Sequence, residues 1–487
     1  MRLACSFTDN KDILLLALAD VLEAITGTRP EGASLIISEV SIDSRQVIPA
    51  GLFVALPGKP VNGHDFVADS FSRGAHLAIV QQDFSGQFST LDLRSGSLPA
   101  DLIIPEAPIC ILVEDSLKTL QVIARFWRRK LDARVIAVTG SLGKSTTKDL
   151  IADVLCQRYR TLKNQGSLDY KIDVPLTLLR LGPGHERAVL EIGFNIPGEI
   201  TALCNLALPS VGVLTNIGRL HSEQTQDLAE IARGKAELVQ ALPPAPEGVA
   251  ILNFDDLNVR SMADKTQAQV FYYGIDPHAD LWADQIESLG LEGIHFRLHY
   301  QKETLFLRVP LIGRQSVHTV LGAAAVGLVE GLTWQEIING LQGGQSQLRM
   351  VAVHSESGAM ILDDTYDAST ESILAALNLL EEMSGRKFAV LGDMLDIGPY
   401  EQQGYQIVGA RVAEVCSYLV TIGEQGKNIA EAASQAGMGS WAISWFDNAP
   451  AAIEYLKSTL LSGDVVLVKG SRSLHLDNIV TALETDS

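Results

Sequence analysis

Val135-Ile136-Ala137-Val138-Thr139-Gly140-Ser141-Leu142-Gly143-Lys144-Ser145-Thr146-Thr147 is the stretch that decides the fold of this 487-residue chain. It begins with a β-branched apolar run, the pattern of a strand buried on both faces. It ends by opening a helix, because Leu150, Ile151, Val154 and Leu155 recur at helical spacing and form one apolar face. Between the two, Gly140 and Gly143 let the backbone curl so that several N–H groups point at one anion, and the helix N-terminus adds its dipole. The spacing, GxxGK[ST], is shorter than the common GxxxxGK[ST] phosphate loop. Gly140, Ser141, Gly143, Lys144, Ser145 and Thr146 are therefore candidate nucleotide-binding residues, with Lys144 at the outer phosphates and the Ser145 hydroxyl offered to Mg²⁺. The competing reading is a glycine-rich strand–helix turn with a solvated lysine.

Outward from this loop the pattern alternates. A helix over Leu117–Lys130 leads into the strand, and a second follows over Thr146–Tyr159. Ala188–Glu191, Val211–Thr215 and Val249–Leu252 are expected strands, and Asp227–Leu242 a helix stopped by Pro243-Pro244-Ala245-Pro246. After a break near Gln342–Gln347 a new series begins: strands at Met360–Leu362, Phe388–Leu391, Leu419–Ile422 and Val465–Val468, with a helix over Glu371–Met383. Before residue 111, short apolar runs with turns at Pro57-Gly58 and Asn62-Gly63 suggest a small α/β unit. Such alternation predicts an α/β protein with mostly parallel sheets covered on both faces. Three segments are expected, 1–111, 112–345 and 346–487: a small α/β unit, a central phosphate-loop sheet domain and a C-terminal Rossmann-like domain.

Composition narrows the function. Lys plus Arg is 38 against 58 Asp plus Glu, a net charge of −20, which argues against nucleic acid or an anionic membrane as the main partner. The apolar runs Ile13–Ala19 and Val320–Val329 are far shorter than the ~20 residues of a spanning helix, and Asp9 and Asp12 precede the first one, unlike a secretory leader. Cys5, Cys110, Cys156, Cys204 and Cys416 are scattered without metal spacing, so a reduced, cytoplasmic protein is expected.

A nucleotide loop needs further metal ligands. Glu191, at the carboxyl end of an expected strand, suits Mg²⁺; taken alone it reads as a solvated strand end. His221 follows the turn Asn216-Ile217-Gly218 and taken alone is a loop histidine. Lys235, among Glu230, Arg233 and Glu237, reads by itself as part of a solvated helix face.

Together these residues resemble the Mur ligase superfamily, and within it the D-alanyl-D-alanine-adding (MurF) type, over nearly the whole chain. The matching segments are Asp43-Ser44-Arg45, Gly51–Leu56 and Asn62-Gly63-His64-Asp65-Phe66; TGSLGKSTTKD at 139–149; Glu191-Ile192-Gly193 with Gly198-Glu199-Ile200; and Asn216 through His221-Ser222-Glu223 to Ile231–Glu237. In the last segment they are Asp363-Asp364-Thr365-Tyr366, Val390–Leu395 and Val468–Ser473. The resemblance implies an ATP-dependent, ADP-forming ligase of peptidoglycan precursor synthesis. A UDP-linked muramoyl peptide is activated as an acyl phosphate, and a dipeptide amine then displaces phosphate. It also implies two Mg²⁺ sites, one on Ser145 and Glu191, the other on His221 and a carbamylated Lys235. Arg349 and Asp364 are implied at the nucleotide, and Ser44, Arg45, His64 and Asp65 at the UDP-linked substrate. A monomer is expected.

Several positions depart from the family pattern. Asp169-Tyr170-Lys171 stands where Asn-Asn-Glu/Asp is usual, and Gln315, Ser316 and Thr319 replace a histidine and two asparagines implied near the adenine. Asp367 and Ser369 replace asparagines, and Tyr405 a histidine. The phosphate and metal positions are kept, so substrate identity is more exposed to change than reaction type. A ligase for a different amine or acid, a catalytically weakened nucleotide-binding homologue and a generic phosphate-loop ATPase stand as alternatives.

Overall fold

The structure, a computed structural model, describes residues 15–58, 61–99, 102–165, 169–194, 196–218, 228–290, 293–311, 313–343, 351–365, 368, 370–394, 401–471 and 474–484. His221, Arg349, Asp367 and Ser369 lie outside them, as does the segment boundary read at 345. The chain forms two compact units: residues 1–137, 158–192 and 201–211, and residues 138–157, 193–200 and 212–487.

The first unit carries a five-stranded parallel sheet of β1 (Val40–Ser41), β2 (Leu52–Val54), β3 (Leu77–Val80), β4 (Ser89–Asp92) and β5 (Ile109–Leu112), in the order β1-β2-β3-β5-β4. β2, β3 and β5 are buried at every residue, as their unbroken apolar runs demand of a sheet covered on both faces. The helix Ser116–Arg128 is capped by Asp115, whose carboxylate accepts from Lys118 N. Its Arg128 guanidinium is buried but donates to the carbonyls of Leu131, Ala133 and Ala207, which balances its loss of water. β6 (Arg134–Thr139) leads out toward the phosphate loop, while β7 (Thr161–Lys163) pairs in parallel with β8 (Arg187–Glu191). Between β7 and β8 runs the helix Tyr170–Leu179, which contains Pro175. Proline cannot donate to the carbonyl of Lys171; the Gln121 side-chain amide does so instead, at 3.1 Å.

β9 (Val211–Leu214) runs from the last residue of the first unit, and the second unit holds β10 (Val249–Asn253), β11 (Gln269–Gly274), β12 (Leu281–Ser288), β13 (Ile294–Tyr300) and β14 (Glu303–Val309). β10, β11 and β12 pair in parallel, but β12, β13 and β14 are antiparallel. A six-stranded sheet follows: β15 (Val351–His354), β16 (Met360–Asp363), β17 (Lys387–Gly392), β18 (Tyr418–Ile422), β19 (Ile443–Phe446) and β20 (Val465–Lys469), ordered β15-β16-β20-β17-β18-β19 with only β15 antiparallel. Alternate residues of its strands feed two cores. Leu362, Leu391 and Leu467 pack with Leu377 and Val412, while Ile361, Val390 and Val466 pack with Leu456 and Ile479. The expected α/β architecture, parallel and covered on both faces, is what forms here. Among the described residues no helix is long and apolar enough to cross a membrane.

Candidate active site

The glycine loop leaves β6 at Thr139 and is pinned from one side. Ser141 N donates to Asn216 O and Leu142 N to Asn216 Oδ1, both at 2.8 Å. Thr215 Oγ1 and Asn216 Nδ2 both donate to Leu142 O, at 2.6 and 3.0 Å. The Ser141 hydroxyl bridges Gly218 N and O, at 2.8 and 2.9 Å. Gly140 has φ 150° and sits so close to Thr215 that a Cβ there would lie 1.9 Å from Oγ1. Gly143, left-handed at φ 74°, turns the chain into the helix Lys144–Leu155, and no side chain caps that helix. The first-turn amides of a helix have no partner within it. A curled loop running into an end without a side-chain cap fits an anion such as a nucleotide phosphate. Lys144 Nζ turns back to donate to Ser141 O at 3.1 Å. Ser145 and Thr146 occupy the helix's first turn.

Lys235 reaches the same loop. It lies on the helix Leu228–Gln240, is only 6% exposed, and donates from Nζ to Gly140 O at 2.7 Å. The Phe194 ring lies 5.2 Å from Nζ and packs so tightly on Gly234 that a Cβ there would stand 2.5 Å from the ring. The solvated helix face expected for Lys235 taken alone is thereby corrected: the amine is buried against the phosphate loop. Thr215 and Asn216, which fasten the loop, were not among the expected site residues; their signal was a polar pair directly after a buried strand.

Glu191 belongs to the first unit, at the end of β8. It is 3% exposed, so it is no solvated strand end. Tyr170 OH donates to its Oε1 at 2.9 Å, and its backbone N donates to Asn164 Oδ1 at 2.8 Å. Asn164 Nδ2 donates to Asp173 Oδ2 at 2.7 Å and to Glu191 O at 3.2 Å.

The first unit also encloses a cavity of about 760 Å³, with Ser44 and Arg45 on one wall and Asp173, Thr177 and Arg180 on another. Asp43 grips Arg45 through both carboxylate oxygens, at 3.0 and 2.7 Å, and the guanidinium holds the Asp43 carboxyl below its usual range. The other two residues implied at the substrate do not line this cavity. His64 is buried; its Nε2 accepts from Gln81 N at 2.8 Å and its Nδ1 meets Asn62 Oδ1 at 2.9 Å, so both ring nitrogens serve the fold. Asp65 is exposed and not part of the cavity wall.

In the six-stranded sheet, Asp364 follows β16 and accepts from Lys469 Nζ at 2.8 Å, with Lys469 almost wholly buried at the end of β20. Tyr405 is a core residue whose OH donates to Met394 O at 3.1 Å. Thr319, on the helix Ser316–Val329, faces the loop, its Oγ1 3.7 Å from where a Gly143 Cβ would stand.

Three Mur ligase family models match the chain. Residues 36–94 match the Mur ligase family catalytic domain, 138–327 the Mur ligase middle domain, and 348–472 the Mur ligase glutamate ligase domain. The chain belongs to the Mur ligase family. Within it the similarity is to the MurF type. The UDP-N-acetylmuramoyl-tripeptide–D-alanyl-D-alanine ligase of Bacillus subtilis is 33% identical over 95% of this chain and 97% of its own. A MurF crystal structure from Acinetobacter baumannii superposes with TM-score 0.80 at 27% identity, covering 96% of this chain and 99% of that one. The Thermotoga maritima MurF in complex with ADP shares the fold, with TM-score 0.73 at 23% identity over 91% and 96% of the two chains.

Proposed function

We propose that this chain is an ATP-dependent amide ligase that adds D-alanyl-D-alanine to UDP-N-acetylmuramoyl-tripeptide. The observation that carries the reading is the buried Lys235 side chain on Gly140 O, which brings the lysine implied at the second Mg²⁺ to the glycine loop. The relatives' activity supports the substrate pair, and the ADP complex of the Thermotoga protein supports the nucleotide. In the reaction a carboxylate oxygen of the peptide bonds to the γ-phosphorus as ADP leaves. The amine nitrogen then bonds to the acyl carbon, losing a proton, as phosphate leaves. Such transfer is mainly positioning and charge neutralisation. Lys144 supplies the protein cation, and Gly140, Ser141, Gly143 and Thr146 the cradle. Ser145 and Glu191 would hold one Mg²⁺, and His221 with Lys235 as its carbamate the second; Mg²⁺ supplies charge neutralisation at the phosphate oxygens. Arg349 and Asp364 act toward the nucleotide, and Ser44 and Arg45 toward the UDP-linked acid. Segments 1–111, 112–345 and 346–487 handle the UDP-linked acid, ATP and the amine respectively, in a cytoplasmic monomer.

The test is phosphate release by the purified protein with ATP and UDP-N-acetylmuramoyl-tripeptide, with and without D-alanyl-D-alanine. Turnover is expected only with all three, and Lys144→Ala is expected to lower it about 100-fold or more. Equal phosphate release without acid or amine would reduce the protein to a generic ATPase.

A further inference from the structure

Tyr170 stands where the family pattern has an amide, and it is the first residue of the helix Tyr170–Leu179. Its phenol OH donates to Glu191 Oε1 at 2.9 Å. Asn164 holds the Glu191 main chain at both N and O, at 2.8 and 3.2 Å, and is itself tied to Asp173 on the cavity wall. The glutamate's backbone is thus fixed from one side and one carboxylate oxygen from the other. A hydrogen bond from a fixed phenol onto a carboxylate oxygen favours the side-chain rotamers that keep it.

We infer that Tyr170 is a positioning residue that aims the Glu191 carboxylate for a divalent cation. This rests on the proposed role of Glu191 as a Mg²⁺ ligand. Partners that orient metal ligands typically change metal affinity by about 10–100-fold when removed. The mechanism is geometric: without the phenol donor, the carboxylate samples rotamers that cannot ligate, so the metal binds only a fraction of the protein. Tyr170→Phe keeps the ring and its packing and removes only the donor.

The experiment is Mn²⁺ binding to the ADP-bound protein, read by electron paramagnetic resonance as free Mn²⁺, with melting temperature as the check on folding. Tyr170→Phe is expected to weaken Mn²⁺ binding about tenfold while metal-free ADP affinity stays unchanged. Tyr170→Gln, which restores a side-chain donor, is expected to recover part of the affinity. Unchanged Mn²⁺ affinity in Tyr170→Phe would assign the residue to packing and overturn the inference. Glu191→Gln separates the two levels. If it binds Mn²⁺ as tightly as the unaltered chain, the ligand role of Glu191 fails and the inference falls with it. If it loses the metal while Tyr170→Phe keeps it, the inference alone fails.

Discussion

His64 is engaged through both ring nitrogens, and that engagement makes it pH-sensitive. Nε2 accepts from the Gln81 amide, so the ring's proton sits on Nδ1, toward Asn62. A second proton would have to go on Nε2, against the Gln81 N–H. Burial already pushes the His64 pKa below its ordinary 6.5. The unfolded chain therefore takes up the proton before the folded one does, and stability rises with pH wherever that holds. The contribution is complete above 6.5 and is lost as pH falls from there through the folded value. Melting the unaltered chain and His64→Gln between about pH 7.5 and 5.5 is expected to show the unaltered chain losing more stability on acidification; parallel curves would contradict it. Lys235 carries the opposite lesson about legibility. Its charged neighbours Glu230, Arg233 and Glu237 hid it, yet Ile231, Lys235, Leu238 and Val239 share one helical face and all four are buried. Helical spacing from Ile231 was the available signal. That His64 faces inward had no such signal, because the partner of its Nε2 is a backbone amide far along the chain.

The loop between β6 and the helix Lys144–Leu155 is the element on which the proposed nucleotide binding turns, and Gly140 is where a side chain fits least. A methyl group there would overlap Thr215 Oγ1, which itself donates to Leu142 O. Gly140→Ala is therefore expected to destabilise the protein by about 1–3 kcal/mol and to weaken ADP binding. Gly182→Ala, with open space around it, is expected to be nearly neutral. Thr215→Ala added to Gly140→Ala removes the clashing oxygen. Urea denaturation of the single and double variants should therefore show the second change costing less in the double variant than alone. Additive losses would show that backbone strain at φ 150°, rather than the overlap, sets the penalty. At this scale several of the expected strands were legible to within a residue or two, while the helix expected over Thr146–Tyr159 ends four residues earlier, at Leu155. Unbroken apolar runs announced β8, β17 and β20, and apolar periodicity announced the helix Thr370–Glu382. The antiparallel strands β12 to β14 escaped because one of their faces is wet. In β13, Ile294, Phe296 and Leu298 are buried while His295, Arg297 and His299 alternate with them, so no continuous run forms. The helix Tyr170–Leu179 escaped for a different reason: Pro175 reads as a breaker, and the Gln121 amide that takes the freed Lys171 carbonyl is distant in sequence.

Over the whole molecule the charge works against the proposed substrates. The chain carries −20, while ATP and a UDP-linked peptide are polyanions. Long-range fields repel them, and attraction is confined to local groups such as Lys144 at the loop and Arg45 and Arg180 at the cavity. The reach of each field depends on salt. At about 0.01 M ionic strength the screening length is ~30 Å, comparable to a domain, so the net negative charge acts on an approaching ligand. At about 0.15 M it is ~8 Å, which removes most of the long-range repulsion but leaves contacts inside a pocket nearly intact. Raising ionic strength across that range, at constant free Mg²⁺, is therefore expected to increase kcat/KM for the UDP-linked acid a few-fold, the reverse of a site steered by a positive surface. The Arg45 side chain is largely exposed and already neutralised by Asp43, so it adds little attraction at a distance. A steep fall in kcat/KM with added salt would mean that the cations at the cavity dominate capture despite the acidic body around them.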